Sequence, residues 1–349
     1  MSLPEYDQSG RNWDYRYCWM RDTYYTLNAF NNLGHFEESE KYFHYIENII
    51  ASETQRIQPL YSITGQKKII ENILDLAGYQ DNNTPVRIGN DAYTHIQNDV
   101  YGQVLVSLLP VYTDKRLLAA QHSRSKEIVL FLLNRIEATM FEPDAGLWEF
   151  RNLKQLHCYT FLLHWAGSKA ALKIGNELGN ETIISKAKKL IDLSAEQIEK
   201  CYIPEKQAYG QAIGSKYLDA SCLELITMNY LDPQSDKAKN HLKALEAELK
   251  TEKGLFYRYK HEDDFGVPHT TFLICAFWYA EALACVGRME DAVKVFTNLI
   301  SYSNHLGILS EDVGTDGSQW GNFPQTYSHV GLMNTAFKIA RKLDTPMFY

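Results

Sequence analysis

The stretch Glu37-Glu38-Ser39-Glu40-Lys41-Tyr42-Phe43 sets the reading of the fold. Three acids crowd the place where a first helical turn leaves its N–H groups unpaired, and apolar residues follow at helical spacing. Before it the periodicity predicts a helix over 22–33, so only residues 33 to 36 separate the two. A connection that short belongs to an antiparallel helical hairpin. Outward from there the same pattern predicts helices over 36–52, 91–112, 115–138, 157–176, 180–200, 217–230, 235–250, 269–286, 288–302 and 325–342. Asp232-Pro233 and Gly287 punctuate helix ends. Short connections recur at 176–180 and 286–288, and long ones near 53–90, 139–156, 201–216, 251–268 and 303–324. The long loops hold most of the Gly, Pro, Trp and Tyr, and loops of that length are usually functional. Paired helices with alternating short and long connections predict an all-α barrel whose long loops gather on one face. No linker-like stretch divides the chain, so one domain over residues 1–349 is expected.

Composition narrows the function. The 349 residues are 45% hydrophobic and 22% charged, an ordinary globular balance. Net charge is −8 and no basic block occurs, which argues against a nucleic-acid partner. The six cysteines (18, 158, 201, 222, 275 and 285) show no metal-ligand spacing and lie mostly in apolar helical stretches. They are expected to be reduced core thiols of a cytoplasmic protein, with no metal and no cofactor. No apolar run approaches the roughly 18 residues of a membrane span, and the first residues do not resemble a signal peptide. The 23 Tyr, 15 Phe and 6 Trp are unusual. Aromatic faces pack on pyranose rings, although a Tyr-rich helical core is the simpler account of composition alone.

Four segments stand out from the helical background. Arg11-Asn12-Trp13-Asp14-Tyr15-Arg16-Tyr17-Cys18-Trp19-Met20-Arg21-Asp22 leads into the first helix. Taken singly it reads as a packed loop with an Asp cap and surface ion pairs. Gly146-Leu147-Trp148-Glu149-Phe150-Arg151 sets a glutamate between aromatics inside a long loop. Such a residue is usually a paired surface carboxylate, but a carboxyl held against an indole is raised in pKa by desolvation. Tyr257-Arg258-Tyr259-Lys260-His261-Glu262-Asp263-Asp264 precedes the Cys275 helix. Gly307-Ile308-Leu309-Ser310-Glu311-Asp312-Val313, followed by the run 317–329, supplies a second loop carboxylate before the final helix.

Together these segments resemble glycoside hydrolase family 15, the glucoamylase, glucodextranase and trehalase group, and its bacterial and archaeal branch in particular. Trp13–Asp22 is similar to the first barrel signature of that family. Pro85–Asn90 with Gln97–Gly102 is similar to the second, Trp148-Glu149 to the general-acid motif, and Leu218-Asp219-Ala220-Ser221 to a further landmark. Arg258-Tyr259 resembles a substrate-binding pair, Leu309-Ser310-Glu311 the general-base motif, and Gly321–Gln325 with Ser328-His329 closes the match. The segments stand in family order over nearly the whole chain. One departure is visible: relatives carry His-x-Tyr-Ser-Lys where this chain reads His157-Cys158-Tyr159-Thr160-Phe161, without the lysine.

The resemblance implies an (α/α)6 barrel, for which the periodicity supplies eleven helices of the twelve needed. It also implies that the N-terminal β-sandwich domain of bacterial members is absent here. It implies an inverting, exo-acting α-glucosidase in which Glu149 protonates the departing oxygen, with Trp148 keeping the acid neutral. Glu311, ionised, deprotonates a water on the opposite face, the two carboxyls standing roughly 6.5–9.5 Å apart. Arg21 and Asp22 would grip the terminal glucose, Arg258 would bind ring hydroxyls, and Tyr15, Trp19 and Tyr259 would form walls. The expected partner is an α-glucose oligosaccharide or disaccharide. Glucoamylase-like release of glucose is the first expectation, trehalase the alternative, and a non-catalytic carbohydrate-binding barrel the reading from another class.

Overall fold

A computed structural model describes residues 2–53, 56–115, 117 and 125–343. Its helices are α1 (Met20–Leu33), α2 (Glu37–Ser52), α3 (Tyr79–Asn82), α4 (Val100–Thr113), α5 (Ser125–Thr139) and α6 (Cys158–Glu177). They continue with α7 (Glu181–Glu199), α8 (Glu224–Thr227), α9 (Asp236–Leu249), α10 (Leu273–Cys285), α11 (Met289–Ile300) and α12 (Thr326–Leu343). Six of them form a closed inner ring in the order α1, α4, α6, α8 with its preceding 3-10 turn Ala220–Leu223, α10 and α12, which returns to α1. Among the described residues α2, α5, α7, α9 and α11 pack outside that ring. The architecture is an (α/α)6-type barrel.

Sequence decides which helix goes inside. Every residue of α10, Leu-Ile-Cys-Ala-Phe-Trp-Tyr-Ala-Glu-Ala-Leu-Ala-Cys, is buried, because it carries apolar residues all round. Its hairpin partner α11 is amphipathic and fully buries only Ala292 and Leu299, as an outer helix should. Outer helices α7 and α9 begin at Asn180 and Ser235, whose side chains accept from the N–H groups of Ile183 (3.0 Å) and Ala238 (3.2 Å). One large apolar core runs round the ring, with a small satellite of Trp19, Leu60, Ile69 and Ala92 beneath the long 53–90 connection.

The predicted helices are met with two differences of start and one of form. The stretch predicted as a helix from 91 is a 3-10 turn over Asp91–Thr94 followed by a loop, because the Asn90 side chain caps Ala92 locally. The helix predicted over 115–138 is seen from Ser125, and residues 116 and 118–124 lie outside the described residues. The helix predicted over 217–230 is the 3-10 turn plus the single turn α8. The extra turn α3 lies in a long loop and contains Gln80 and Asp81 at positive φ, so it adds nothing to the barrel.

Short strands of two or three residues tie the long loops together. Asp312–Val313 pairs antiparallel with both Thr271–Phe272 and Gln319–Trp320, and Ser2–Pro4 pairs with Asn12–Asp14. All six cysteines are free thiols, five of them buried. Among the described residues no helix is long and apolar enough to cross a membrane, and no cluster of His, Cys, Asp and Glu could hold a metal ion.

Candidate active site

At the end of the ring where α1, α10 and α12 start, the loops before the inner helices, together with α1 itself and Glu38 and Tyr42 of α2, enclose a cavity of about 400 Å³. Tyr15, Trp19, Arg21, Asp22, Trp148, Glu149, Arg258 and Glu311 all line it. The two carboxylates, remote in sequence, therefore meet at one cavity. Of the predicted residues only Tyr259 is missing from its wall. It is fully buried behind Trp148, ring centroids 6.4 Å apart, with its hydroxyl on Asp263 and its ring stacked on His261. Tyr259 supports the wall and does not form it, because adjacent residues of an extended segment point to opposite sides.

Glu149 is presented by a tightly braced loop. Asp144 and Gln155 exchange two backbone hydrogen bonds of 3.0 Å, and the Gly146 N–H donates to Asp144 Oδ1 at 3.0 Å. Gly146 has a φ of +68°, and a Cβ there would stand 2.6 Å from His157 Nε2, so only glycine fits. The turn leaves Glu149 itself at φ +62°, which aims its side chain into the cavity apart from Trp148. Trp19 Nε1 donates to Glu149 Oε1 at 2.6 Å, and Arg21 Nη2 approaches the same oxygen at 3.2 Å. The indole in contact with the predicted acid is thus Trp19. Trp148 turns its Nε1 onto Asp219 at 2.8 Å, while Asp219 also accepts from Ser221, which gives the Leu218–Ser221 segment its place.

Glu311 is held from the opposite wall. Its backbone bridges two segments: its N–H donates to Asn322 O, and its carbonyl accepts from the Leu273 N–H, both at 3.1 Å. Its Oε2 accepts from the Asn322 N–H at 2.8 Å and from Asn322 Nδ2 at 3.1 Å. Gly321, at φ +75°, lies flat against it; a Cβ there would come within 2.6 Å of Glu311 Cβ. Burial pushes the Glu311 carboxyl up, with Glu5 and Asp312 adding to the rise, while the Asn322 donor and Arg258 oppose it. Burial thus works against ionisation of Glu311, and the Asn322 and Arg258 donors work for it.

Two arginines balance the acids. Arg21 donates through Nη1 to Leu147 O at 2.7 Å and pairs through Nε with Asp22 at 3.3 Å. Arg258 donates through Nη2 to Glu5 at 2.6 Å and to Asp312 at 3.2 Å, beside the Phe272 ring. Sequence reasoning missed Glu5 and Asp312, both buried, and the wall residues Tyr17, Phe272 and Tyr327. Asp312 adjoins Glu311 and carried a signal; Glu5 carried none, since only pairing of the first strand brings it here.

The departure at 157–161 has a visible effect. Phe161 is packed in the core, and among the described residues no lysine lies within ion-pair distance of the buried Asp144. Thr160 Oγ1 donates to Asp144 at 2.9 Å, yet burial and Asp99 push the Asp144 carboxyl up to about 7.

A ring of helices closed over a cavity lined by Asp22, Glu149, Glu311 and two arginines has the form of a glycosidase-type barrel. The chain belongs to glycosyl hydrolases family 15, matching it over residues 1–337. It is similar to a trehalase of Thermoplasma volcanium, 31% identical over 98% of this chain and 54% of the relative. It is also similar to a trehalase of Mycobacterium tuberculosis, 31% identical over 97% of this chain and 50% of the relative. Among solved structures it shares its fold with a bacterial glucoamylase complexed with acarbose (TM-score 0.72, 17% identity, 93% of this chain and 49% of that one). The chain spans about half the length of these curated relatives.

Proposed function

We propose that this chain is the catalytic barrel of an inverting glycosidase that hydrolyses trehalose to two glucose molecules. The observation that carries the reading is that Glu149 and Glu311 line one cavity with Arg21, Asp22 and Arg258. Inversion needs one carboxyl to protonate the departing oxygen and another to deprotonate a water on the far side of the ring. Glu149 takes the first role. Glu311, fixed through Oε2 by Asn322, takes the second, and its raised pKa makes it the stronger base once ionised. Arg21, Asp22 and Arg258 supply charged partners for the hydroxyls of the sugar held between them.

Trehalose is preferred over α-linked oligosaccharides because the curated relatives that cover the chain are named trehalase. Glucoamylase-like release of glucose is the second reading, favoured by the shared fold with the acarbose-bound glucoamylase. Proton NMR of fresh products separates them. Attack with inversion on one sugar of trehalose releases one β-glucose and leaves one α-glucose, so the two anomers appear in equal amounts before mutarotation. Glucose released from maltose or isomaltose, with trehalose untouched, refutes the trehalose reading. Two α anomers from trehalose refute inversion.

A further inference from the structure

The inner ring has a second mouth. Where its helices end, the C-terminal halves of α1, α4, α6, α10 and α12, with α8, surround a cavity of about 780 Å³ that contains none of the residues described above. Its floor is ionic and buried. Glu224 is 4% exposed and Glu281 7%. Lys338 Nζ pairs with Glu281 Oε2 at 2.8 Å, and Thr335 Oγ1 donates to Glu281 Oε1 at 3.2 Å. Glu224 Oε2 accepts from Thr227 Oγ1 at 2.8 Å. Among the described residues no donor reaches Glu224 Oε1, and no cation lies within ion-pair distance of Glu224. Glu224 is buried, yet this oxygen is not sealed off: it opens onto the cavity, where a hydrogen-bonding ligand or water can meet it. Burial and the neighbouring Glu281 push its pKa up, so at neutral pH it can donate as well as accept, which suits a hydroxyl.

The mouth has the opposite character. Lys169 and Lys173 of α6 face Arg341 and Lys342 of α12 across the opening, all four exposed. None has a carboxylate within ion-pair distance among the described residues. Lys169 Nζ sits 4.3 Å above the Trp165 ring and the Arg341 guanidinium 5.7 Å from the Phe337 ring, which puts aromatic faces on both sides of the passage. Complementing the helix dipole accounts for Arg341 and Lys342, in the last turn of α12. It does not account for Lys169 and Lys173, which stand above the last turn of α6. Four unpaired cations around one opening, on a chain of net charge −8, mark a place for an anion.

We propose that this second cavity binds a phosphorylated sugar, its hydroxyls on Glu224 and its phosphate between the cations of α6 and α12. The hydroxyl-pairing acid lies at the floor, the aromatic faces stand midway, and the phosphate-pairing cations ring the mouth, in the order such a molecule would present its parts. Calorimetric titration of the full chain with glucose 6-phosphate tests it, with glucose and inorganic phosphate as separate probes. Glucose 6-phosphate should bind about tenfold or more tightly than either probe alone. The double charge reversal Lys173→Glu with Arg341→Glu should weaken that binding by about tenfold or more, the loss of charge-assisted hydrogen bonds. Glu149→Gln, at the other end of the ring, should leave it unchanged. Absence of binding, equal affinity for inorganic phosphate, loss of binding in Glu149→Gln, or indifference to the charge reversal each overturns the proposal. Lys169→Ala, an exposed single change, provides the same reading should the double variant melt early.

Discussion

At one end of the inner ring the helices begin, and loops ahead of them bring Glu5, Glu149, Arg258, Glu311 and Asp312 beside Arg21 and Asp22 in the first turn of α1. At the other end the helices run out, and Lys169, Lys173, Arg341 and Lys342 come from the helices themselves. Helix ends carry partial negative charge, which accounts for Arg341 and Lys342 at the second mouth, whereas Lys169 and Lys173 lie before the last turn of α6. The construction also differs. Loop residues can reach inward from several directions, and three acids at the first mouth are met by donors: Trp19 and Arg21 on Glu149, Asn322 on Glu311, Thr270 on Asp312. Cations on helical faces keep the spacing of the helix, and among the described residues no carboxylate lies within ion-pair distance of these four. One mouth holds its charges among donors; the other presents them to solvent.

The largest expected effect tests the first mouth. Glu149→Gln and Glu311→Gln should each lower glucose release from trehalose by about a hundredfold or more, the scale of acid–base catalysis. Unchanged turnover in either variant removes that residue from its role. Next is Gly321→Ala. Its Cβ would enter the space of Glu311 at a backbone φ of +75°, so turnover should fall about ten- to a hundredfold with a lower melting temperature. Normal activity would mean that the position of Glu311 does not matter.

Asn322→Ala has a smaller and more diagnostic consequence. It removes the Nδ2 donor to Glu311 Oε2 and spares the backbone donor. Losing a donor raises a carboxyl pKa, and a base works only when ionised. The acid limb of the kcat/KM profile should therefore move to higher pH, by about half to one unit. A shift to lower pH would contradict Glu311 as the base. The smallest effect lies at the second mouth. Glu224 has a folded pKa raised above its unfolded value of about 4.3, so its contribution is favourable at low pH and is lost as pH rises toward the folded value. Glu224→Gln should melt like the parent near pH 4 and about 2–4 °C higher near pH 8. A gain confined to pH 4 would reverse the sign.

Much of this was legible in the residues. The hairpin at 22–52 and the all-round apolar α10 follow from spacing alone, and the site segments could be recognised because each is a compact run. What failed did so for local reasons. Asn90 diverts the backbone into a capped turn before α4, an effect of one side chain that apolar periodicity cannot register. Trp148 looked like the partner of Glu149 because it adjoins it, but the positive φ at Glu149 sends the two side chains to different hosts. Tyr259 fell on the wrong side of its segment for the same kind of reason. The second mouth was invisible, since Glu224, Lys173 and Arg341 meet only when the ring closes.

The opening residues of the chain bear on handling the protein. Pro4 O receives the Gly321 N–H at 2.7 Å, and Glu5 holds Arg258, so the first strand is bolted to the segment that packs on Glu311. A tag, a cleavage scar or an upstream module joined there sits only a few residues from the Glu5–Arg258 pair at the cavity. Activity assays on differently tagged preparations will consequently differ unless a flexible spacer precedes residue 2.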